Sequence, residues 1–380
     1  MKKTLLAAAL LAGFATAGVA QAETSVTLYG ILDTGYGYQN FKYDHTNSAG
    51  VATNDTARFS GMRDGFVNGN RWGLKGSEDM GNGLRAIFQL EQGFSIASGK
   101  VANGPDNGVF NRQAFVGLAS DQWGSLTMGK QYGAGVDTSA ADEMNGLGDY
   151  DHVFGGVGLG NRVVNSFKYT TPTFSGFKAV VLYGTGGNGS GVLSERLNGV
   201  SQVDRGDQVS LGANYTNGPL AAAASYDRQS KAGTNALTSW TISGGYDFEV
   251  VKLSGMFGQD RNGKIGWGGD ASNFVPDIAT SLTGLGAGYA NFKSNNWSVT
   301  GSAPIGPGRL YLTYSGSHSN LGDADKWGSE AGNINMYAAQ YRYPLSKRTT
   351  VYAYGGYGTN LGYVKDLKGG EAGIGLNHKF

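Results

Sequence analysis

The side chains best able to act chemically are charges set at even spacings along alternating segments. Arg71 and Lys75 stand four apart in NRWGLKGSED, Arg85 and Glu91 six apart in LRAIFQLEQGF, and Arg162 and Lys168 six apart in RVVNSFK. Even spacing puts each pair on one side of an extended chain, because strand side chains alternate with period two. Residues of the other parity are largely apolar: Trp72 and Leu74, then Leu84, Ala86, Phe88 and Leu90. Charges so arranged can attract and orient ions and polar solutes. Their spacing sets up no nucleophile and no proton relay.

Other chemistries are thinly supported. The chain has no cysteine, which excludes disulfides, thiolate metal sites and cysteine nucleophiles. His45, His152, His318 and His378 are scattered and form no spaced ligand pair. Gly184 to Gly189 match G-x-G-x-x-G, but no helix pattern follows, and 65 glycines in 380 residues make chance matches common. The Asp/Gly-rich stretch 260–277 lacks EF-hand spacing. We therefore expect no enzyme activity, cofactor or metal. Lys+Arg number 30 against 29 Asp+Glu, which gives no general reason to bind nucleic acid. Charged residues make up 16%, below the roughly 25% of an ordinary soluble domain.

Residues 1–22 read as a secretory leader. Lys2 and Lys3 precede an apolar run from Leu5 to Ala15, and Ala20-Gln21-Ala22 supplies a small-x-small cleavage site. The run is too short for a membrane-spanning helix, which needs roughly 20 residues. Residues 23–380 are then expected to form one domain. An exported chain without a spanning helix is either soluble or crosses a membrane as a closed β-barrel.

Alternation chooses the barrel. Sixteen segments carry it: 25–40, 69–79, 84–97, 111–119, 125–133, 162–172, 176–186, 207–217, 219–230, 238–248, 250–260, 295–306, 308–320, 334–345, 349–360 and 370–380. Residues 280–293 are also strand-like and are read as loop, which keeps the count even. Short turns, at 80–83, 120–124, 173–175, 217–218, 249, 307 and 346–348, alternate with long links, including 41–68, 98–110, 134–161, 187–206 and 261–294. Short turns at one end and long loops at the other describe an all-β, transmembrane antiparallel barrel of the outer membrane. A soluble sandwich would need no such asymmetry. Sixteen strands enclose an aqueous channel, so the apolar set should face lipid and the charges the lumen. Tyr36, Tyr38, Phe94, Tyr183, Tyr352 and Tyr354 are expected in aromatic girdles on the lipid side. The last strand places Ile374, Leu376, His378 and the terminal Phe380 on one parity.

These residues resemble a Gram-negative general porin of the trimeric β-proteobacterial type, related to the neisserial porins. The resemblance is carried by SVTLYGILDTGYGY (25–38), NRWGLKGSEDMGNGLRAIFQLEQGF (70–94), FNRQAFVGLASDQWGSLTMGKQYG (110–133), NSFKYTTPTFSGF (165–177), YPLSKRTTVYAYGGY (343–357) and GLNHKF (375–380). It implies a sixteen-stranded barrel in a homotrimer, set in outer-membrane lipid and lipopolysaccharide and passing small hydrophilic solutes and ions. The alternatives are a substrate-selective channel and a structural or adhesive barrel.

In such porins the third long loop folds into the lumen. Here that loop is about 134–161, and it carries Asp137, Asp142, Glu143, Asp149 and Asp151 with no Lys or Arg. The resemblance sets a ladder of arginines opposite the acids: Arg71 in NRWGLKG, Arg112 in FNRQ and Arg162 in NRVVNSF. Parity supports a lumenal Arg71 and Arg162; Arg112 shares parity with Ala114, Val116 and Leu118 unless a bulge intervenes. The expected constriction set is Arg71, Arg112, Arg162, Lys75, Lys130 and Lys168 facing Asp142, Glu143 and Asp149. The surplus of cations on the wall suggests a modest anion preference.

Overall fold

A computed structural model describes residues 24–46, 50–101, 108–140, 162–185, 207–230, 235–262, 292–320 and 332–380. The expected leader, most of the expected constriction loop and nearly all of 280–293 lie outside the described residues.

A strand leaves backbone donors and acceptors on both edges, and in lipid every one of them must be paired. The chain meets this demand by closing on itself. The strands are β1 (Thr24–Thr46), β2 (Ala52–Asp64), β3 (Arg71–Asp79), β4 (Leu84–Gly93), β5 (Ala114–Ser120), β6 (Gly124–Tyr132), β7 (Arg162–Thr170), β8 (Phe177–Gly184) and β9 (Gln208–Asn217). They continue as β10 (Leu220–Gln229), β11 (Leu237–Asp247), β12 (Lys252–Arg261), β13 (Lys293–Ile305), β14 (Gly308–Ser319), β15 (Ile334–Pro344), β16 (Thr349–Thr359) and β17 (Leu367–Lys379). From β3 to β17 each strand pairs antiparallel with the next, and β17 returns to β1 with Ile31 opposite Lys379 and Tyr43 opposite Leu367.

β1 is shared between two partners on its other edge. Its start pairs with β3 from Thr24 to Ile31, and its continuation pairs with β2 from Thr34 to Thr46. Strand β2 therefore extends the wall beyond the end of β3 without widening it, and sixteen strands close the barrel. The link 41–68, expected to be a loop, holds this extra hairpin. Its outward parity reads Asn54, Thr56, Arg58 and Ser60 before Met62, so four polar residues in a row leave little apolar-polar contrast to mark it as a strand. The seam is fastened at the C-terminus. Gly30 N donates to Phe380 O at 3.0 Å and Phe380 N to Gly30 O at 3.1 Å. A Cβ on Gly30 would stand 2.3 Å from the Phe380 ring, so glycine here gives the terminal aromatic its seat.

The faces are inverted relative to a soluble protein. Val26, Leu28, Met128, Phe167, Ile242, Val299, Leu312 and Ile374 are exposed, whereas Asp33, Gln131, Ser210, Asp227, Ser298 and Ser315 are buried. Inward side chains meet one another. Ser298 and Ser315 share a 2.8 Å hydrogen bond across β13 and β14, as do Thr300 and Thr313 at 2.7 Å. The larger apolar cluster of the inner face among the described residues packs Phe41, Tyr43, Ile334, Met336, Leu361 and Leu367 at the long-loop end.

The expected girdle divides. Tyr36, Tyr38 and Tyr183 are exposed on the outer face, and Phe94 is half-buried just beyond β4, bridged to Val101. Tyr352 and Tyr354 instead point inward, at 3% and 5% exposure, and pack with Phe66. The reason lies in their neighbours. Added Cβ atoms on Gly375 and Gly373 would lie 2.3 Å and 2.6 Å from the two tyrosine rings or hydroxyls, so glycines on β17 leave the room those rings fill.

Candidate pore constriction

The arginine ladder is built on one sector of the wall, β3 to β7. Arg112 reaches it through a bulge. Arg112 N donates to Glu91 O at 3.2 Å, and Glu91 N donates to Gln113 O at 2.7 Å, so two residues of one strand oppose one of the other. The extra residue resets the parity ahead of β5 and turns Arg112 off the outward row of Val116 and Leu118. Its Nε then bonds Glu91 Oε1 at 2.5 Å, and its Nη2 donates to Tyr132 Oη at 2.8 Å.

Tyr132 joins two of the arginines. Its hydroxyl also accepts from Arg162 Nη2 at 2.7 Å, while the Arg162 guanidinium lies 4.6 Å from its ring centroid. A second irregularity, between Gly129 and Gln131, sets the pairing of β6 with β7 so that Tyr132 faces Arg162. Arg71 anchors to the backbone just before it, Nε donating to Gly69 O at 2.9 Å, and Arg112, Glu91, Tyr132 and Arg162 are its electrostatic neighbours. Glu91 is 3% exposed and also accepts from Tyr29 Oη at 2.9 Å. Lys75 lies over the Tyr29 ring, 5.5 Å from its centroid. Arg112 thus pairs with Glu91 directly and Arg71 electrostatically, while Arg162 joins the group through Tyr132 and Lys75 through Tyr29.

Beside this group the chain leaves the wall. A short helix, α1 (Ala134–Thr138), packs on the inner face of β8, β9 and β10. Ala134 N donates to Ser210 Oγ at 2.7 Å and Ala140 N to Ser243 Oγ at 3.3 Å. Asp137 takes two lysines: Lys168 Nζ at 2.6 Å on its carboxylate and Lys178 Nζ at 2.9 Å on its carbonyl. Lys168 is therefore tied to the root of the 134–161 segment. Lys130 lies at the β6 irregularity, half-buried. Asp142, Glu143 and Asp149 lie outside the described residues.

Gly212 makes the seat for α1. A Cβ there would stand 2.6 Å from Thr138 Oγ1, 2.9 Å from Ala134 O and 3.0 Å from Ala134 Cβ. Van der Waals contact needs about 3.5 Å, so Gly212→Val should push α1 into the lumen by about 1 Å. The expected result is a smaller single-channel step, read in a planar bilayer against wild type. An unchanged step would show that α1 does not bound the open pore.

One further anchor escaped sequence reading. Asp33 is fully buried and accepts from Tyr352 Oη at 2.5 Å, Asn377 Nδ2 at 2.8 Å, Asn68 N at 2.9 Å and Val67 N at 3.3 Å. It holds the segment 65–70 that leads into Arg71. Its inward parity was legible, but donors 34 to 344 positions away in sequence were not. Tyr132 was hidden similarly, because a bulge before it breaks the alternation that would have placed it.

An apolar skin around a closed strand cylinder, with charges and hydroxyls inside, defines a transmembrane β-barrel channel. Residues 7–363 match the Gram-negative porin family, and the chain belongs to that family. It is 38% identical to an outer membrane porin protein of Bordetella pertussis, over 100% of both chains. Identity is 29% to outer membrane porin protein 32 of Delftia acidovorans, covering 98% of this chain and 92% of the relative. It is 27% to the major outer membrane protein P.IB of Neisseria meningitidis, over the full length of both. Among solved structures, an anion-selective porin from Comamonas acidovorans superposes with a TM-score of 0.65 at 23% identity, covering 94% of this chain and 100% of that one. The protein is an outer-membrane diffusion channel for small hydrophilic solutes.

Proposed function

We propose that this channel is passive and non-enzymatic, is narrowed by residues 134–161, and favours anions modestly. The observation that carries the reading is the linked group of Arg71, Arg112, Arg162 and Lys75, joined through Glu91, Tyr132 and Tyr29. Fixed positive charge beside a narrow aqueous path lowers the energy of an anion there and raises that of a cation. The acids of 134–161 on the facing side would create a transverse field, in which polar solutes align while apolar ones must displace ordered water. Asp142, Glu143 and Asp149 are the proposed acidic wall, and Lys130 and Lys168 flank it. The anion selectivity of the Comamonas acidovorans structure supports the same reading.

Residues 1–22 are proposed to be removed on export, leaving 23–380 as the barrel. Three copies are proposed to assemble, as a trimer form is known for a Vibrio cholerae outer membrane protein of the same fold. Outer-membrane lipid and lipopolysaccharide surround the assembly. The test is the reversal potential of single channels in a KCl gradient. Chloride preference is expected, and potassium preference would overturn the assignment of Arg71, Arg112 and Arg162 to the narrow region.

A further inference from the structure

The outer face of the barrel carries a groove whose chemistry changes along its length. On β1 the outward parity runs Tyr36, Tyr38, Asn40, Lys42 and Asp44, from aromatic to charged toward the long-loop end. Four strand residues span about 13 Å, so Lys42 stands about that far beyond Tyr38. Lys42 is directly opposite Lys368 on β17. On the other side, Asn40 is opposite Arg58, which is exposed on β2. Like charges opposed across strands repel; among the described residues Asp44 takes Lys368 at 3.0 Å, and Asp366 lies within electrostatic reach of Lys368. Lys42 also interacts with Asp44.

Beneath the cations lies a depression of about 420 Å³ lined by Tyr38, Asn40, Lys42, Tyr357, Lys368 and Ala372. It adjoins, at Gly356 and Tyr357, an apolar trough of about 960 Å³ running over β13 to β16. Val299, Tyr314, Tyr337 and Tyr357 form one bank in register, and the adjoining row runs Gly301, Leu312, Ala339 and Gly355. The trough is cut by small residues at outward positions, among neighbours that are exposed and large. Both volumes fall within the range of about 300–1,000 Å³ occupied by small-molecule sites. The long-loop end of an outer-membrane barrel faces outside, so the cations stand at the headgroup level of the outer leaflet.

We propose that this groove binds a phosphate-bearing lipid of the outer leaflet, with the phosphate held by Lys42, Arg58 and Lys368 and an acyl chain along the trough of Gly301, Ala339 and Gly355. A lipid answers both halves of the groove at once. A free anion would leave the trough empty. A second copy of this chain presenting an apolar face would bury Lys42, Arg58 and Lys368 against Asp44 and Asp366, with one positive charge uncompensated. The site gives a definite place to the lipid contact proposed above, and it is independent of how the lumen selects ions.

The test titrates the purified trimer or monomer, in a nonionic detergent, with dioleoyl phosphatidic acid, dioleoylglycerol and inorganic phosphate. Phosphatidic acid is expected to bind tightest. The K42A/K368A pair should weaken phosphatidic acid about thirtyfold, the combined effect of two lysines at an anionic surface, and leave dioleoylglycerol unchanged. Gly355→Leu, whose Cβ has room because its nearest neighbour is 3.6 Å away, should fill the trough and weaken both lipids together. Single-channel conductance of both variants should equal wild type, which separates this site from the pore. Three results would overturn the proposal: phosphatidic acid binding untouched by K42A/K368A, inorganic phosphate binding as tightly as the lipid, or an altered oligomeric state with lipid affinity unchanged. The last would mark the face as a contact between protomers.

Discussion

Replacing Arg71, Arg112 and Arg162 together by glutamine should lower the chloride-to-potassium permeability ratio about tenfold near 0.1 M salt. The figure follows from Coulomb's law: a fixed charge about 8 Å from a permeating ion in water is worth about 0.5 kcal/mol, roughly halved by screening. Three such charges act with opposite sign on anion and cation. The change should shrink in 1 M KCl, where the screening length is about 3 Å. Glutamine keeps most of the volume and can still donate to Tyr132, so the wall should remain in place. The reversal potential in a KCl gradient measures the ratio directly. A triple variant with wild-type selectivity would place these arginines away from the narrow path. Of the three, Arg112→Gln alone should also loosen Glu91, whose charge it meets at 2.5 Å.

Asp33→Leu should cost about 3–5 kcal/mol of barrel stability, because four donors then face no acceptor in a buried site. The donors come from three parts of the chain: the 65–70 segment through Val67 and Asn68, β16 through Tyr352 and β17 through Asn377. Losing the carboxylate frees the segment whose Gly69 carbonyl holds Arg71. Two readouts should therefore move together. The temperature at which the folded barrel loses its heat-resistant migration should fall, and open-channel current noise should rise. A stability loss with quiet, wild-type current would confine Asp33 to a structural part. No change in either would remove it as an anchor of the first segment.

The barrel was legible because lipid imposes a local rule. Every spanning strand must show apolar side chains on one parity, and Leu84 to Phe88 on β4 or Val116 and Leu118 on β5 obey it without reference to any partner. The rule fails where the wall leaves the membrane. β2 has polar residues on its outward side, so it passed for loop. It also fails where a face is paid for by glycines elsewhere. Tyr352 and Tyr354 look like lipid-facing girdle residues until Gly373 and Gly375 of the adjoining strand are seen to leave space inside.

Composition and alternation alone pointed to a wet interior, an apolar exterior and cations along the inner parity. Those properties need only nearest neighbours along the chain. Tertiary structure decided which charges meet. Arg112 and Arg162 share Tyr132 because bulges beside Glu91 and Gly129 each shift a register by one residue. Asp137 meets Lys168 and Lys178 because α1 folds back onto Gly212. A one-residue slip reverses a side chain's face, and a glycine's empty volume matters only once something lies against it. Neither event leaves a periodic trace, so both are settled by closure of the barrel.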